Sequence, residues 1–399
     1  MSNTVKQKQN AGGGSRAAKK RQKQQQKKQQ QQSSNKKQKI TTSAENVKPK
    51  ISKQNPTTKS KTQAESIEVL GTPAELLFGE KMIGESAPDR ARAVFQSLLG
   101  SKISPRTFYK EYWEKKPLHI SRKSDDIEES EKYFDGILSQ NDIECMMKNK
   151  ELKYGVDLNV TKCTGNERNL KRITLDPVPE TMKIEDAIVA KPNDVWCNFK
   201  DGCSIRLLCP HAHLRTVHAL LSILESEFGC MIGANAYLTP GKISQGFAPH
   251  YDDIEAFILQ LEGKKRWKVY RPLNISETLP RESSKDFDVK DLSDPIIEVT
   301  LEPGDLLYMP RGWIHQAVTT REDKASLHLT VSAMQHWSWA DFLELVMPDA
   351  LQAAIQSDSS TSLREGTAYV ILIQLYYSCI CVSKHKILNN VLSNFTLQL

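Results

Sequence analysis

An imidazole and a carboxylate stand one residue apart at His250-Tyr251-Asp252, and a third candidate metal ligand, His315, follows far downstream in Pro310-Arg311-Gly312-Trp313-Ile314-His315. On an extended strand, side chains at i and i+2 project to the same face, so His250 and Asp252 are expected to lie close enough to grip one ion. His315 can join them only if the chain turns back and lays a second strand against the first. The intervening sequence provides for that. Leu301-Glu302-Pro303-Gly304-Asp305 reads as a turn and Leu306-Leu307-Tyr308-Met309 as a strand, with His315 expected just past it. A small double-sheet β-barrel meets this requirement. A lone His-x-Asp is weak evidence, because short patterns recur by chance and a single histidine more often makes a structural hydrogen bond. Its weight comes from the matching Pro-x-Gly-x-x-His element.

Two imidazoles and one carboxylate form a facial triad that leaves the opposite coordination positions open, the arrangement used by non-haem Fe(II) oxygenases. Oxygen and a co-substrate can then share the ion. A further residue bears on that co-substrate. Leu261-Glu262-Gly263-Lys264-Lys265 reads as a hairpin returning through Arg266-Trp267-Lys268-Val269-Tyr270. Alternation places Lys265, Trp267 and Val269 on one face and Lys264, Arg266 and Lys268 on the other. Lys265 would then point inward, where an ammonium is costly unless it meets an anion, and a carboxylate beside the metal would supply one. The alternative reading is a solvated lysine in a Lys-rich turn.

The 399 residues suffice for two or three domains and a full core, and the formal net charge of +7 conceals an asymmetry. Residues 1–64 hold 17 Lys and Arg against one acid, which leaves 38 basic and 47 acidic residues, a net of −9, in the rest. That leading stretch is Lys/Gln-rich, with almost no large apolar residue to offset the entropy of ordering, and is expected to be a disordered basic tail. Lys19-Lys20-Arg21 and Lys36-Lys37-Gln38-Lys39 suit nuclear import or contact with RNA phosphates or chromatin, so the nucleus and nucleolus are the expected location. A merely solubilising tail is the plainer alternative. The eight cysteines show no paired C-x-x-C spacing and read as free intracellular thiols. Cys209-Pro210-His211-Ala212-His213 lacks the partner pair of a zinc site. The polar N-terminus shows no secretory signal, which points to a cytosolic or nuclear compartment.

Helical spacing is expected over Ala87 to Leu99, ending at Gly100, and around Thr107 to Trp113, with structure starting by Ser86 at the latest. Residues 126–150 read as helical and acidic, and residues 213–228 as helical through Leu214, Val217, Leu220, Leu221 and Leu224. Tyr154 to Val160 and Cys203 to Leu208 alternate as strands, while the polar stretch from Thr164 to Pro179 reads as a loop.

The run Ser244-Gln245-Gly246-Phe247-Ala248-Pro249-His250-Tyr251-Asp252-Asp253-Ile254-Glu255-Ala256-Phe257, followed by Leu259-Gln260-Leu261-Glu262-Gly263, carries a specific resemblance. Residues 85–365 resemble the JmjC-type, cupin-fold 2-oxoglutarate oxygenases, and among them the ribosomal oxygenases described as histidyl hydroxylases and histone lysine demethylases. The resemblance implies a mainly β fold with flanking helices around a double-stranded β-helix, or jelly-roll, core. By position it implies His250, Asp252 and His315 as ligands of Fe(2+), and Lys265 on the distal carboxylate of 2-oxoglutarate. Tyr237, Ser332 and Asn235 match further co-substrate positions. Arg206 and Asn235 match the substrate side of the mouth. It implies O2 as the oxidant and basic substrates, a ribosomal protein or a histone tail, with a role in transcriptional repression. Without the resemblance, Asn235 would read as a capped strand end and Arg206 as a surface salt-bridge residue.

The expected division is a tail over 1–64, helical and strand elements over 65–200, a catalytic core over 201–337, and the start of a helical dimerisation region over 338–365. In that last region Ser338 caps a helix to Met347 and Pro348 begins another. From 366 to 399 the sequence departs from the family, whose winged-helix domain is missing, so a family homodimer becomes doubtful. Residues 367–382 are apolar but shorter than the roughly 20 residues a membrane span needs, so no membrane partner is expected. A rival reading keeps the fold without turnover, as a chromatin or ribosome-assembly scaffold; an intact triad with Lys265 speaks for the enzyme.

Overall fold

Thr72, Ser86 and Ser104 each accept a hydrogen bond from the backbone three residues on, and each is followed by a proline in the first helical turn. These caps start α1 (Pro73–Phe78), α2 (Ala87–Leu99) and α3 (Pro105–Glu111). The computed structural model describes residues 67–123, 127–166, 169–177 and 187–357. The tail expected over 1–64 and the divergent ending over 366–399 lie outside the described residues. Among the described residues the first helix, α1, already lies upstream of Ser86. The acidic stretch over 126–150 is helical, as expected, in two pieces, α4 (Ile127–Glu131) and α5 (Gln140–Asn149), the second opened by a reciprocal Ser139 and Asp142 capping box. After α6 (Pro192–Lys200), α7 (Arg215–Phe228) buries Val217, Leu220, Leu221 and Leu224 and stops at Gly229 in the left-handed conformation.

Eleven strands among the described residues make the body. They are β1 (Leu118–Ile120), β2 (Leu158–Asn166), β3 (Asn169–Thr174), β4 (Ser204–Leu208), β5 (Gly233–Thr239), β6 (Glu255–Glu262), β7 (Lys265–Tyr270), β8 (Ile297–Leu301), β9 (Leu306–Met309), β10 (Ile314–Thr319) and β11 (Ser326–Ala333). The large sheet runs β1-β9-β6-β11-β5-β4-β2-β3 and the small one β10-β7-β8, with every pairing antiparallel. The fold is mainly β with flanking helices, two facing sheets in a cupin-like arrangement. Two sequence expectations fail here. The strand expected from Tyr154 is β2, which begins at Leu158, and the stretch read as a loop from Thr164 contains β3. β3 is the outermost strand and its side chains from Lys171 to Thr174 are exposed, so it never needed the apolar alternation by which strands are recognised.

Strand β6 is buried on both faces and divides the core. Phe257, Leu259 and Leu261 face the helices and join Phe95, Phe108 and Leu220. Ala256 and Ile258 face the small sheet and pack with Trp267, Val269, Leu301, Leu307, Met309 and Trp313. Gly263 turns the hairpin from β6 to β7 with φ 62°, and a Cβ there would collide with the Ala325 carbonyl. Register is thereby pinned, and Lys265 enters the barrel. The last described element, α8 (Trp339–Gln356), is one helix with Pro348 inside it, where sequence suggested two. Proline at that position removes only one backbone donor, and the helix continues through it. No helix among the described residues is long and apolar enough to cross a membrane.

Candidate active site

His250 and His315 are brought together by backbone before any ion is considered. The two residues form an isolated antiparallel bridge, with His250 N–H donating to the His315 carbonyl at 3.2 Å and His315 N–H to the His250 carbonyl at 2.8 Å. The strand expected to carry His250 and Asp252 is therefore only that single bridge, and Tyr251 and Asp252 lie in the irregular segment before β6. His315 lies just past β9, as expected, at the second residue of β10. Asp252 is aimed at the pair by the neighbouring turn, where Gly312 N–H donates to the Asp252 carbonyl at 3.0 Å. Gly312 has φ 86°, and a Cβ would run into the Glu277 carbonyl, so the Pro-x-Gly spacing has a steric cause.

The Asp252 carboxylate oxygens lie 3.7 Å from His250 Nε2 and 3.6 Å from His315 Nε2. One ligand atom from each of the three residues falls within 4.8 Å of the others, the one such group among the described residues. Each histidine uses its other nitrogen against a carbonyl, His250 Nδ1 on Ala248 O at 2.7 Å and His315 Nδ1 on Trp313 O at 3.1 Å. A neutral imidazole donating from Nδ1 keeps the Nε2 lone pair free for a cation. Burial, then the neighbouring His250, lowers the His315 pKa to about 4, so it is neutral near pH 7. This donor set fits a divalent ion of the iron group, with three protein ligands on one side and space on the other.

That space is lined by a polar ladder on the inner face of the large sheet. Cross-strand register pairs Thr239 with Ser326, Tyr237 with His328 and Asn235 with Thr330, and places Ser332 opposite Gly233. Thr239 is the innermost rung. It meets Lys265, whose Nζ lies 3.0 Å from Thr239 Oγ1. Lys265 is 5% exposed, no described carboxylate lies within ion-pair distance, and burial alone lowers its pKa to about 7. The inward orientation inferred from alternation is the one found, and Lys264, Arg266 and Lys268 face outward.

Tyr237 lines the inner cavity together with Lys265, His250, Asp252 and His315. Asn235, Ser332 and Arg206 lie further out, along a groove of about 730 Å³ that opens over His250 and Asp252. The rungs matched to the co-substrate are thus split between the two spaces. Phe247 bridges them, packed edge-on to Tyr237 at 5.4 Å, with the Arg172 and Arg206 guanidinium groups 5.4 and 6.0 Å from its centroid. Arg172 comes from β3, the strand that sequence left as a loop.

His328 was not singled out from sequence. Its ring stacks on Tyr237 at 4.8 Å and meets Trp267 edge-on at 5.3 Å. Burial, with Lys265 and His315 nearby, holds its pKa well below the ordinary histidine value, so it is neutral. His328 Nδ1 and Trp267 Nε1 are buried without a hydrogen-bond partner among the described residues, two polar atoms beside a cavity able to receive a ligand. The signal was present in the alternation of Ser326, His328, Thr330 and Ser332 with Leu327, Leu329 and Val331.

Residues 206–342 match the JmjC domain, and the chain carries that domain on a cupin-like scaffold. It is strongly homologous to Ribosomal oxygenase 1, with 42% identity to the rat protein (Rattus norvegicus) over 287 residues, 72% of this chain and 44% of that one. A mosquito relative (Culex quinquefasciatus), named bifunctional lysine-specific demethylase and histidyl-hydroxylase NO66, is 43% identical over 275 residues, 69% of this chain and 39% of that one. The chain spans less than half the length of these relatives. Among solved structures, YcfD, a ribosomal oxygenase from Escherichia coli in complex with cobalt and 2-oxoglutarate, aligns with a TM-score of 0.42 and 15% identity over 71% of this chain and 68% of that one. That likeness is too distant for a residue-by-residue comparison.

Proposed function

We propose that the chain is an Fe(II)- and 2-oxoglutarate-dependent oxygenase acting on basic nuclear proteins, as a histidyl hydroxylase of a ribosomal protein, a demethylase of histone lysine, or both. One observation carries this reading: an open-sided His250, Asp252, His315 cluster shares a cavity with a buried lysine that has no carboxylate partner among the described residues. A structural ion would need neither the open side nor the cation.

Bound iron would supply the activation of O2, coupled to oxidative decarboxylation of 2-oxoglutarate to succinate and CO2. The residues do the rest. His250, Asp252 and His315 would hold the metal, their geometry set by the bridge and by the carbonyls of Ala248 and Trp313. Lys265, steadied by Thr239, would receive the distal carboxylate. Tyr237 and His328 form the wall beside it, whereas Asn235 and Ser332 at the next rungs serve the outer end of the cavity. Arg206 faces the groove where the substrate segment would lie, with its Nε lacking a hydrogen-bond partner among the described residues. Insertion of oxygen at a histidine β-carbon leaves an alcohol, and insertion at an N-methyl group releases formaldehyde and the free amine.

The net −9 charge outside residues 1–64 supports basic substrates. The basic stretch over 1–64 supports placement in the nucleus and nucleolus and contact with RNA or chromatin. The test is mass spectrometry of a ribosomal-protein peptide and a methyl-lysine histone peptide after incubation with the chain, iron, ascorbate and 2-oxoglutarate. The expected product gains about 16 Da for hydroxylation or loses about 14 Da for demethylation. Both peptides unchanged, with wild type and His250→Ala alike, overturns the proposal in favour of a scaffold.

A further inference from the structure

A second polar cluster lies on the opposite side of the large sheet from the metal site. Glu255 opens β6 with its side chain wholly buried on the helix-facing side. Its carboxylate accepts a short hydrogen bond from the Tyr308 hydroxyl and one of 3.4 Å from Arg311 N–H. Arg311 Nε lies 3.7 Å away, an ionic distance rather than a hydrogen bond. Arg311 Nη2 then donates to Glu114 Oε1 at 2.7 Å, and Glu114 N–H returns to the Tyr308 hydroxyl at 3.0 Å, closing the cluster. Glu114 holds φ 56°, a left-handed conformation that a non-glycine residue adopts at a cost.

Such a cluster is a poor device for stability alone. Burial raises the Glu255 pKa to about 7 despite Tyr308 and Arg311, so desolvation is only partly compensated. Apolar residues of similar volume serve stability as well or better at buried ion pairs. Its placement suggests another task. Glu255 lies three residues after Asp252, and Arg311 four before His315, inside the turn whose Gly312 N–H holds the Asp252 carbonyl. The pair therefore joins the two segments that bear the carboxylate and the second imidazole, from behind the sheet and with no atom in the cavity.

We infer that Glu255 and Arg311, with Glu114 and Tyr308 as their buttress, are positioning residues that set the distance between Asp252 and the His250 and His315 pair. This rests on the metal reading above. Because the cluster touches no ligand side chain, it acts through backbone: Arg311 fixes the turn at 310–312, Glu255 fixes the start of β6, and Asp252 is held between them.

The test uses the full chain with cobalt(II) as probe, titrated by calorimetry and by visible absorption, beside thermal unfolding without metal. Glu255→Gln keeps the shape and the Tyr308 bond while removing the charge facing Arg311, and should weaken cobalt binding about tenfold, the scale seen for residues that orient ligands indirectly. The paired replacement Glu255→Leu with Arg311→Met guards against simple unfolding, since it removes both charges together. It should melt near wild type, yet bind cobalt at least as weakly as Glu255→Gln and with an altered absorption band. Wild-type affinity and spectrum in the folded paired variant overturn the positioning role while leaving the metal site standing. Wild-type chain that takes up no cobalt overturns the metal reading itself.

Discussion

The two faces of the large sheet are built from the same strands yet have opposite chemistry. Toward the helices, β4, β5 and β11 present Ile205, Leu207, Ala236, Leu238, Leu329 and Val331, all buried in one apolar cluster. Toward the small sheet, the same three strands present Arg206, Tyr237, Thr239, His328 and Thr330. Successive residues of a strand point to opposite faces, so one face can be selected for packing while the other is selected for ligands. The difference teaches that the cost of a polar interior is confined to one side, with the apolar side supplying the stability that keeps it open.

The sharpest way to break this division is to remove a ligand from the inner side. His315→Ala should reduce metal affinity by more than about a hundredfold, because even indirect support of a ligand is worth 10- to 100-fold. Cobalt titration would show this, and the metal-free chain should melt close to wild type. The reciprocal change on the outer face, Leu329→Ala, should cost about 2–5 kcal/mol in denaturant unfolding. Turnover per folded molecule should be unchanged; a matching loss of turnover would end the claim that the faces are separable.

Lys265→Met probes the polar face where it is least comfortable. Loss of a charge-assisted contact should weaken 2-oxoglutarate binding by about 1.5–3 kcal/mol in calorimetry with cobalt present. The same change should leave the ligand-free chain as stable or more so, because a buried ammonium without a counter-charge is disfavoured. The smallest effect concerns acidity. With burial lowering Lys265 to about 7, its cationic form predominates below that pH and is lost above it. An anion requiring that charge should therefore bind roughly fivefold more weakly at pH 8 than at pH 7. Proton uptake on binding, read from titrations in buffers of different ionisation enthalpy, should disappear in Lys265→Met.

Much of the site was legible because its parts are local. The His-x-Asp spacing, the Pro-x-Gly turn before His315 and the alternation around Lys265 each survive in a short window of sequence, and the side chains they place, His250, Asp252, His315 and Lys265, line one cavity. What failed depended on partners elsewhere in the chain. His250 looked like a strand residue because its spacing allows it, but its one bridge is made to His315. β3 had no apolar signature because it lies at an edge, and Pro348 looked like a break although the helix runs through it. His328 was passed over because nothing in its own neighbourhood announces a ring between Tyr237 and Trp267. Glu255 and Arg311 flank the ligand motifs, yet their direct contact, with Glu114 on the far side of Arg311, joins three distant segments that no single window contains.

The mutual hydrogen bonds between His250 and His315 settle how folding and loading relate. The two imidazole-bearing residues are set side by side by mutual peptide hydrogen bonds, which themselves need no cation. Small zinc modules draw their order from the ion; this barrel would lend its order to one. Stripping the site with a chelator would then leave a folded shell that refills reversibly, and scarcity of metal would silence such a protein without condemning it to unfold.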